Sequence, residues 1–289
     1  MKLGLMPSYR TSAVADPAYA TALARLAEAE GCESIWVVEH VVVPASYRSR
    51  YPYSADGRMG LTGDEAIPDP LDWLAYVAGC TERLRLATGM LILPEHNPVV
   101  LAKRLATIDA LSGGRLLVGV GVGWLREEFE AVGVPFEARG QRADEYVAAM
   151  RALWAPGASS YQGRFVSFSG VKCHPKPAAG RIPVVVGGSS PAAARRAGRL
   201  GDGFFPLGMS PEELARALSA MAEEARRFGR DPAEVEVTVH ATMDLDLARR
   251  YAELGVSRMV ASAFDRPGLD DTRAMLGRLI ERVISKLGD

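Results

Sequence analysis

An acid and a histidine stand side by side at the end of a short apolar segment. The segment, Ser34–Val38, is typical of a buried strand, and Glu39-His40 follow it directly. Imidazole is the side chain whose ordinary pKa lies closest to neutral pH, which suits it to acid/base work. Of the four histidines in the chain, His40 alone combines a strand end with a preceding acid. We therefore predict that His40 is a general acid/base group and that Glu39 is its partner.

A second pattern is a series of glycines at alternate positions within the segment 116–124. Gly119, Gly121 and Gly123 share one face of a strand, because side chains alternate between the two faces. That face is open to a flat ligand, although close packing of a neighbouring element is an alternative. Trp124 at the end of the segment favours the ligand. We predict a cofactor-binding floor formed by Gly121, Gly123 and Trp124.

A third pattern, Gly187-Gly188-Ser189-Ser190, joins an apolar segment to a helix that begins at Pro191. Glycine lets a backbone amide approach a phosphate, and the amides of a helix N-terminus are unpaired and partly positive. A tight turn with a serine N-cap is the alternative. We predict that these four residues bind an anionic group of a cofactor.

These patterns require a fold that brings strand ends together. Eight apolar segments, starting near residues 2, 34, 84, 116, 182, 203, 235 and 257, each precede a helical pattern. Alternation of this kind over 289 residues predicts an α/β fold, a (β/α)8 TIM barrel that forms a single domain over residues 1–289. An open doubly wound sheet is the alternative, but the glycine series does not fit its GxGxxG signature.

Two long connections interrupt the alternation, at about residues 41–68 and 156–181. Connections of this length in a compact domain are usually functional or disordered. We expect both to be insertions at the carboxyl-terminal face of the barrel. The first, which is rich in tyrosine and arginine, is either a lid over the site or a solvated loop.

Charge and cysteine content exclude several classes of function. The 34 Lys and Arg balance 35 Asp and Glu, so we expect no nucleic acid and no membrane surface as partner. Three cysteines without a CxxC pair argue against a disulfide framework and against a thiolate metal site, and we expect no metal. No apolar run reaches about 18 residues. We expect a cytoplasmic protein that acts on a small molecule.

Several motifs together resemble the luciferase-like monooxygenase superfamily, in the actinobacterial branch of deazaflavin (coenzyme F420) dependent oxidoreductases. The most specific stretch runs from Leu111 to Phe129 and contains the glycine series. Shorter matching stretches are 35–40, 51–57, 69–71, 81–86, 139–140, 186–188 and 201–204. The resemblance thus covers nearly the whole chain.

The resemblance implies a TIM barrel whose cofactor ring lies across the mouth. It implies a bulge with a non-prolyl cis peptide bond at Gly89-Met90 behind the ring, so Thr88, Gly89 and Met90 join the expected cofactor-binding residues. Glu39 and His40 correspond to an Asp-His pair that is usual in this branch. Glu39, one methylene longer than the usual aspartate, and His40 are then expected to contact the cofactor as well.

The resemblance also implies an activity and an assembly. It implies hydride transfer between coenzyme F420 and a small organic substrate, by a homodimer. The sugar-phosphate dehydrogenases of the superfamily carry a glutamate proton donor where Trp124 stands, so oxidation of a sugar phosphate by that route is not expected. An FMN-dependent monooxygenase and a non-catalytic flavin- or deazaflavin-binding protein are the alternatives.

Overall fold

Strands and helices alternate along the chain. The computed structural model describes residues 1–10, 12–266 and 268–287. The strands are β1 (Lys2–Met6), β2 (Ser34–Val37), β3 (Arg85–Thr88), β4 (Leu91–Ile92), β5 (Leu116–Gly121), β6 (Ser159–Gln162), β7 (Ser167–Val171), β8 (Val184–Gly187), β9 (Gly203–Phe205), β10 (Glu236–His240) and β11 (Val256–Ser262). The helices are α1 (Pro17–Ala29), α2 (Pro70–Ala78), α3 (Pro98–Leu111), α4 (Arg126–Ala131), α5 (Arg139–Trp154), α6 (Pro191–Leu200), α7 (Pro211–Arg227), α8 (Leu245–Glu253) and α9 (Leu269–Arg282).

The parallel strands close into a barrel. Hydrogen-bonded neighbours follow the order β3-β2-β1-β11-β10-β9-β8-β5-β4, and a further pairing of β3 with β5 closes the ring. β3 and β4 both pair with β5 and act as two parts of one barrel strand, separated by residues 89 and 90. Eight strand positions, each followed by helix, confirm the predicted TIM barrel.

Short polar side chains set the helix starts. Asp69, Asn97 and Ser190 each accept a hydrogen bond from a backbone N–H in the first turn of α2, α3 and α6, and a proline follows each cap. Such a cap contributes about 1 kcal/mol, and the proline removes an N–H that would have no partner in the helix. These caps fix the residue at which each of the three helices begins.

A layer of side chains fills the barrel interior below the mouth. Six strands contribute one buried residue each: Trp36, Ala87, Leu117, Val185, Phe205 and Val260. Met6 and Met90 pack against this layer. A much larger set of apolar residues fills the space between the barrel and its helices. Because the interior is filled, a ligand can only bind above this layer, at the carboxyl ends of the strands.

The two long connections differ in place and in structure. Residues 41–68 follow the carboxyl end of β2, as predicted. Residues 156–181 join the end of α5 to the start of β8, at the amino-terminal end of the barrel, so the place predicted for the second connection was wrong. Residues 41–68 contain neither helix nor strand, whereas residues 156–181 contain the antiparallel hairpin of β6 and β7. The strand predicted to run to Trp124 ends earlier, at Gly121. Gly123 adopts a φ of 76°, which is outside the strand conformation, so the chain turns away from the sheet there.

Candidate active site

A cavity of about 1540 Å³ opens at the carboxyl ends of the barrel strands. It collects eleven of the twelve predicted cofactor-binding residues: Glu39, His40, Gly89, Met90, Gly121, Gly123, Trp124, Gly187, Gly188, Ser189 and Ser190. The twelfth, Thr88, is fully buried, and its hydroxyl donates to the carbonyl of Gly119 at 2.7 Å. Thr88 therefore ties β3 to β5 just beneath the cavity.

The partner of His40 is Glu128 on α4. His40 Nδ1 lies 2.8 Å from Glu128 Oε2, and the Glu128 side chain is only 1% exposed. The other carboxylate oxygen of Glu128 accepts hydrogen bonds from the backbone N–H groups of Val41 at 2.7 Å and Val42 at 3.3 Å. A carboxylate accepts hydrogen bonds and does not donate them, so this contact favours the tautomer with the ring proton on Nδ1. In that tautomer Nε2 is the nitrogen that can exchange a proton with a ligand.

Glu39 does not pair with His40, and the partnership expected from the sequence was wrong. Its carboxylate accepts from the backbone N–H of Ile92 and lies 2.9 Å from His96 Nε2. Adjacent residues of an extended chain point to opposite sides, so Glu39 faces β4 while His40 faces α4. The site thus contains two separate histidine–glutamate pairs.

A third glutamate lies near both pairs without a partner of its own. Both carboxyl oxygens of Glu95 are buried, and neither makes a hydrogen bond to the described part of the chain. Burial, together with the neighbouring carboxylates Glu128 and Glu39, raises the pKa of Glu95 to about 9. Glu95 is therefore a neutral carboxylic acid at physiological pH.

The bulge between β3 and β4 forms part of the cavity floor. Its Gly89-Met90 peptide bond is cis, as the resemblance implied. The expectation of one open glycine face needs correction, because protein atoms occupy much of it. A Cβ on Gly119 would lie 2.0 Å from the carbonyl oxygen of Thr88, and one on Gly123 would lie 2.5 Å from the Phe129 ring. Of the three glycines, only Gly121 has room for a Cβ, which would lie 3.4 Å from Met90 Cβ.

The segment 187–190 combines a turn with a helix start. Gly188 has a φ of 112°, which side-chain-bearing residues rarely adopt. The hydroxyl of Ser190 caps α6, and the hydroxyl of Ser189 exchanges hydrogen bonds with the backbone of Leu207 at 2.6 and 2.9 Å. Both hydroxyls are thus engaged within the protein. Any anion bound here would be held chiefly by backbone amides of the first helical turn.

Arginines that the sequence analysis did not identify line the same cavity. Arg139, Arg196 and Arg216 come from α5, α6 and α7. Arg139 donates to the carbonyl of Gly123 at 3.0 Å and stacks on Phe136, with 3.8 Å between its guanidinium carbon and the ring centroid. These residues lie on helices far apart in sequence, and only their convergence at the mouth distinguishes them from surface arginines. Arg196 is paired with Asp144, so of these three arginines Arg139 and Arg216 bring positive charge to the cavity that contains residues 187–190.

An aromatic cluster forms another part of the wall. The Trp124 ring packs edge-on against Tyr51, Tyr47 and His40, with centroids 5.1, 5.6 and 6.3 Å apart. The tyrosines belong to residues 41–68, which therefore form one wall of the cavity. Tyr53, which packs against Tyr51 at 5.3 Å, also lines it.

The loop of residues 41–68 is fastened to α4 by a second glutamate. Glu127 accepts hydrogen bonds from the backbone N–H groups of Arg48 and Ser49 and from the Ser49 hydroxyl, at 2.7 to 3.3 Å. Burial opposes ionisation of Glu127, but these hydrogen bonds outweigh it and lower its pKa to about 2. The anchor is therefore charged throughout the physiological range.

His240 is a further cavity residue whose importance the sequence analysis underrated. It ends β10, lines the cavity and packs on Phe205 with 5.1 Å between ring centroids. Burial lowers its pKa to about 4, so the imidazole is neutral near pH 7. Its place at a strand end was visible in the sequence, but its burial was not.

Neither a metal centre nor a membrane span is found in the described residues. Over residues 1–10, 12–266 and 268–287, no three or more His, Cys, Asp and Glu side chains are grouped so that they could hold a metal ion. None of the helices in those ranges is both long enough and apolar enough to cross a bilayer.

Known proteins are similar to this chain in sequence. An uncharacterized protein of Mycobacterium tuberculosis is 35% identical over 273 residues, which covers 91% of this chain and 93% of that protein. The F420-dependent glucose-6-phosphate dehydrogenase 1 of Rhodococcus jostii is 31% identical over 276 residues, covering 90% of this chain and 77% of that enzyme. Both relatives therefore align with almost the entire barrel.

Solved structures show the same fold at lower identity. The F420-dependent tetrahydromethanopterin reductase of Methanopyrus kandleri superposes with a TM-score of 0.77 at 16% identity, and covers 99% of both chains. A type II Baeyer-Villiger monooxygenase of Pseudomonas putida, in complex with FMN, superposes with a TM-score of 0.65 at 19% identity, covering 88% of this chain and 71% of that one. The sequence profile described as luciferase-like monooxygenase matches residues 1–263. The chain belongs to the luciferase-like monooxygenase family.

Proposed function

We propose that the protein is an oxidoreductase that transfers a hydride between the deazaflavin coenzyme F420 and a small organic substrate. One observation carries the proposal: a single cavity brings together His40, the floor glycines such as Gly121, and residues 187–190 at the start of α6. A histidine suits proton exchange, and glycine amides at a helix start suit an anion. The sequence relative that is named for F420 dependence, at 31% identity over 90% of this chain, supports the choice of cofactor.

The residues present fit a ligand with a flat ring and a phosphate. At Gly188 an added Cβ would lie 3.3 Å from Ala193 Cβ, so a bulkier residue would fill the space in front of α6. The amides there, with Arg139 in the same cavity, suit a phosphate group. Gly121 and Met90 line the floor of the same cavity, against which a ring would lie. We infer that these two groups of residues hold the two parts of the cofactor.

The remaining residues would support the reaction. When bound, a deazaflavin supplies the hydride chemistry, and the protein supplies position and electrostatics. His40 exchanges through Nε2 the proton that accompanies the hydride. The aromatic wall of Trp124, Tyr51 and Tyr53 would shield a bound ring from water on one side.

Cofactor titration tests the proposal. We expect the purified apoprotein to bind F420 at least about tenfold more tightly than FMN, measured by fluorescence or calorimetry, because FMN shares the phosphate but not the deazaflavin ring. Riboflavin, which has the FMN ring without the phosphate, is the control and should bind more weakly than FMN if the 187–190 segment holds the phosphate.

Three other outcomes would contradict the proposal. Equal or tighter binding of FMN, with oxygen consumption, would indicate a flavin monooxygenase. Tight F420 binding without turnover of any substrate, from a panel of electron-poor enones to secondary alcohols and ketones, would indicate a non-catalytic carrier. Failure to bind either cofactor would refute the assignment of the cavity.

A further inference from the structure

Glu128 contacts both His40 and the backbone at the start of the 41–68 loop. It lies on α4, is almost fully buried, and uses both carboxylate oxygens. One oxygen holds His40 Nδ1 at 2.8 Å, and the other accepts from the backbone N–H groups of Val41 and Val42, the first two residues of the 41–68 loop. One side chain therefore contacts both the histidine and the start of the loop.

The contact fixes His40 in two respects. A carboxylate that already accepts two backbone N–H groups has no proton to give, so it selects the tautomer with the proton on Nδ1. It also sets the plane of the ring, whose edge packs against Trp124. Glu95 and Glu39 are the other carboxyl groups near Glu128. The pKa of Glu95 is raised chiefly by burial and then by the carboxylates of Glu128 and Glu39. With Glu39 engaged by His96, Glu128 is the carboxylate available to His40.

Its neighbour Glu127 holds the same loop at a different point. Glu127 contacts the backbone of Arg48 and Ser49, together with the Ser49 hydroxyl, and its described contacts do not include a histidine. The loop residues that follow, Tyr51 and Tyr53, line the cavity. Glu127 and Glu128 thus both hold the loop, but of the two only Glu128 also contacts His40.

We propose that Glu128 is the positioning residue of the site, which sets the tautomer and orientation of His40 and fastens the loop that walls the cavity beside it. The kinetic part of this proposal rests on the proposed function, in which His40 exchanges a proton with the substrate. The part that concerns the tautomer does not, and it can be tested on the protein without any cofactor.

The first experiment is long-range ¹H–¹⁵N correlation NMR of the histidine rings in the apoprotein. The chain has four histidines, so His40→Ala assigns the signals of His40. In wild type above the pH at which the ring is charged, we expect the proton almost entirely on Nδ1. Glu128→Gln should at least halve the population of that tautomer, and Glu127→Gln, the matched control, should leave it unchanged.

The wild-type spectrum is decisive even if Glu128→Gln does not fold. A folded wild type with the proton on Nε2 of His40 would overturn the proposal. A Glu128→Gln variant that is folded by circular dichroism and keeps the wild-type tautomer would overturn it as well.

The second experiment separates positioning from loop attachment by kinetics. Glu128→Gln should lower kcat by about 10- to 100-fold, the range seen when an outer partner of a functional group is lost. Glu127→Gln should raise KM by severalfold and keep kcat within about twofold, since it loosens the loop without touching His40. Equal losses of kcat in both variants would show that only the loop matters. A wild type without turnover would refute the proposed function, and the tautomer measurement would still decide the role of Glu128.

Discussion

The two ends of the barrel differ in how their buried ionisable side chains are paired. At the amino-terminal end Arg258 is fully buried, and its guanidinium donates to both oxygens of Glu33, to Glu236 and to the Thr238 hydroxyl, at 2.9 to 3.2 Å. Lys2 adds a further contact to Glu236. At the mouth, the buried carboxyl of Glu95 has no hydrogen-bond partner in the described chain. The first end is fully paired and the second is not.

The difference separates a structural cluster from a functional one. A buried ion pair is tolerated when the geometry satisfies every donor and acceptor, as the fork-shaped contact of Arg258 with Glu33 does. An unpaired buried carboxyl destabilises the fold and persists where function requires the local environment. We therefore expect substitutions at the amino-terminal end to change stability, and substitutions at the mouth to change the reaction.

The largest effect should come from His40→Ala. Loss of a general acid/base group usually lowers the rate by about 10² to 10⁴, and cofactor affinity should stay within roughly tenfold. The measurement is the single-turnover oxidation of reduced F420 under nitrogen with a substrate that wild type converts. His174→Ala, in the exposed insertion, is the control and should react like wild type. Equal rates for wild type and His40→Ala would mean that the proton comes from water or another residue.

The next largest effect should be a loss of stability caused by a substitution at the amino-terminal end of the barrel. Arg258→Met leaves Glu33 and Glu236 close together without their guanidinium, which should reduce the free energy of unfolding by about 3 to 5 kcal/mol. Urea titration measures this loss. Arg249→Met removes an exposed contact with Asp246 at 3.5 Å and should cost less than about 1 kcal/mol. Similar losses in the two variants would contradict the structural role assigned to the Arg258 cluster.

Local patterns predicted the elements well because the relevant interactions are local. Ser190 and Pro191 are the cap and first residue of α6, as expected, since a cap contacts the backbone only three residues away. The eight strands followed from short apolar segments between such helices. The glycine series was misjudged in part, because the atoms that fill the space at Gly119 come from β3 and the bulge.

Contacts between distant segments could not be read from the sequence. His40 and Glu128 are separated by 88 positions, and Glu39 and His96 by 57. Adjacency in the sequence suggested a Glu39–His40 pair, whereas the alternation of side chains along an extended chain turns the two residues apart. Nothing in the sequence indicated the partners of Arg258, because only closure of the barrel brings Glu33 and Glu236 to it. Sequence therefore located the mouth but not the partners within it.

The smallest effect should come from Glu95→Gln. This variant tests directly whether the Glu95 carboxyl is buried without a partner, in contrast to the Arg258 cluster. The pKa of Glu95 is raised from an ordinary 4.5 to about 9, chiefly by burial and then by Glu128 and Glu39. Between these two pH values the folded state binds one proton more than the unfolded state, so this group makes stability fall as the pH rises. Glutamine has nearly the same shape and does not titrate, so the variant should lack this dependence.

The measurement compares how much unfolding free energy wild type and Glu95→Gln each lose as the pH rises. From pH 5 to pH 8, wild type should lose about 1 to 3 kcal/mol more unfolding free energy than Glu95→Gln, after allowance for solvent screening. Effects of the amide on packing are present at both pH values and cancel. Glu130→Gln, an exposed change on α4, is the control and should follow wild type. If Glu95→Gln follows wild type as well, the Glu95 carboxyl is solvated or paired in solution, and the two ends of the barrel do not differ in the way inferred from their contacts.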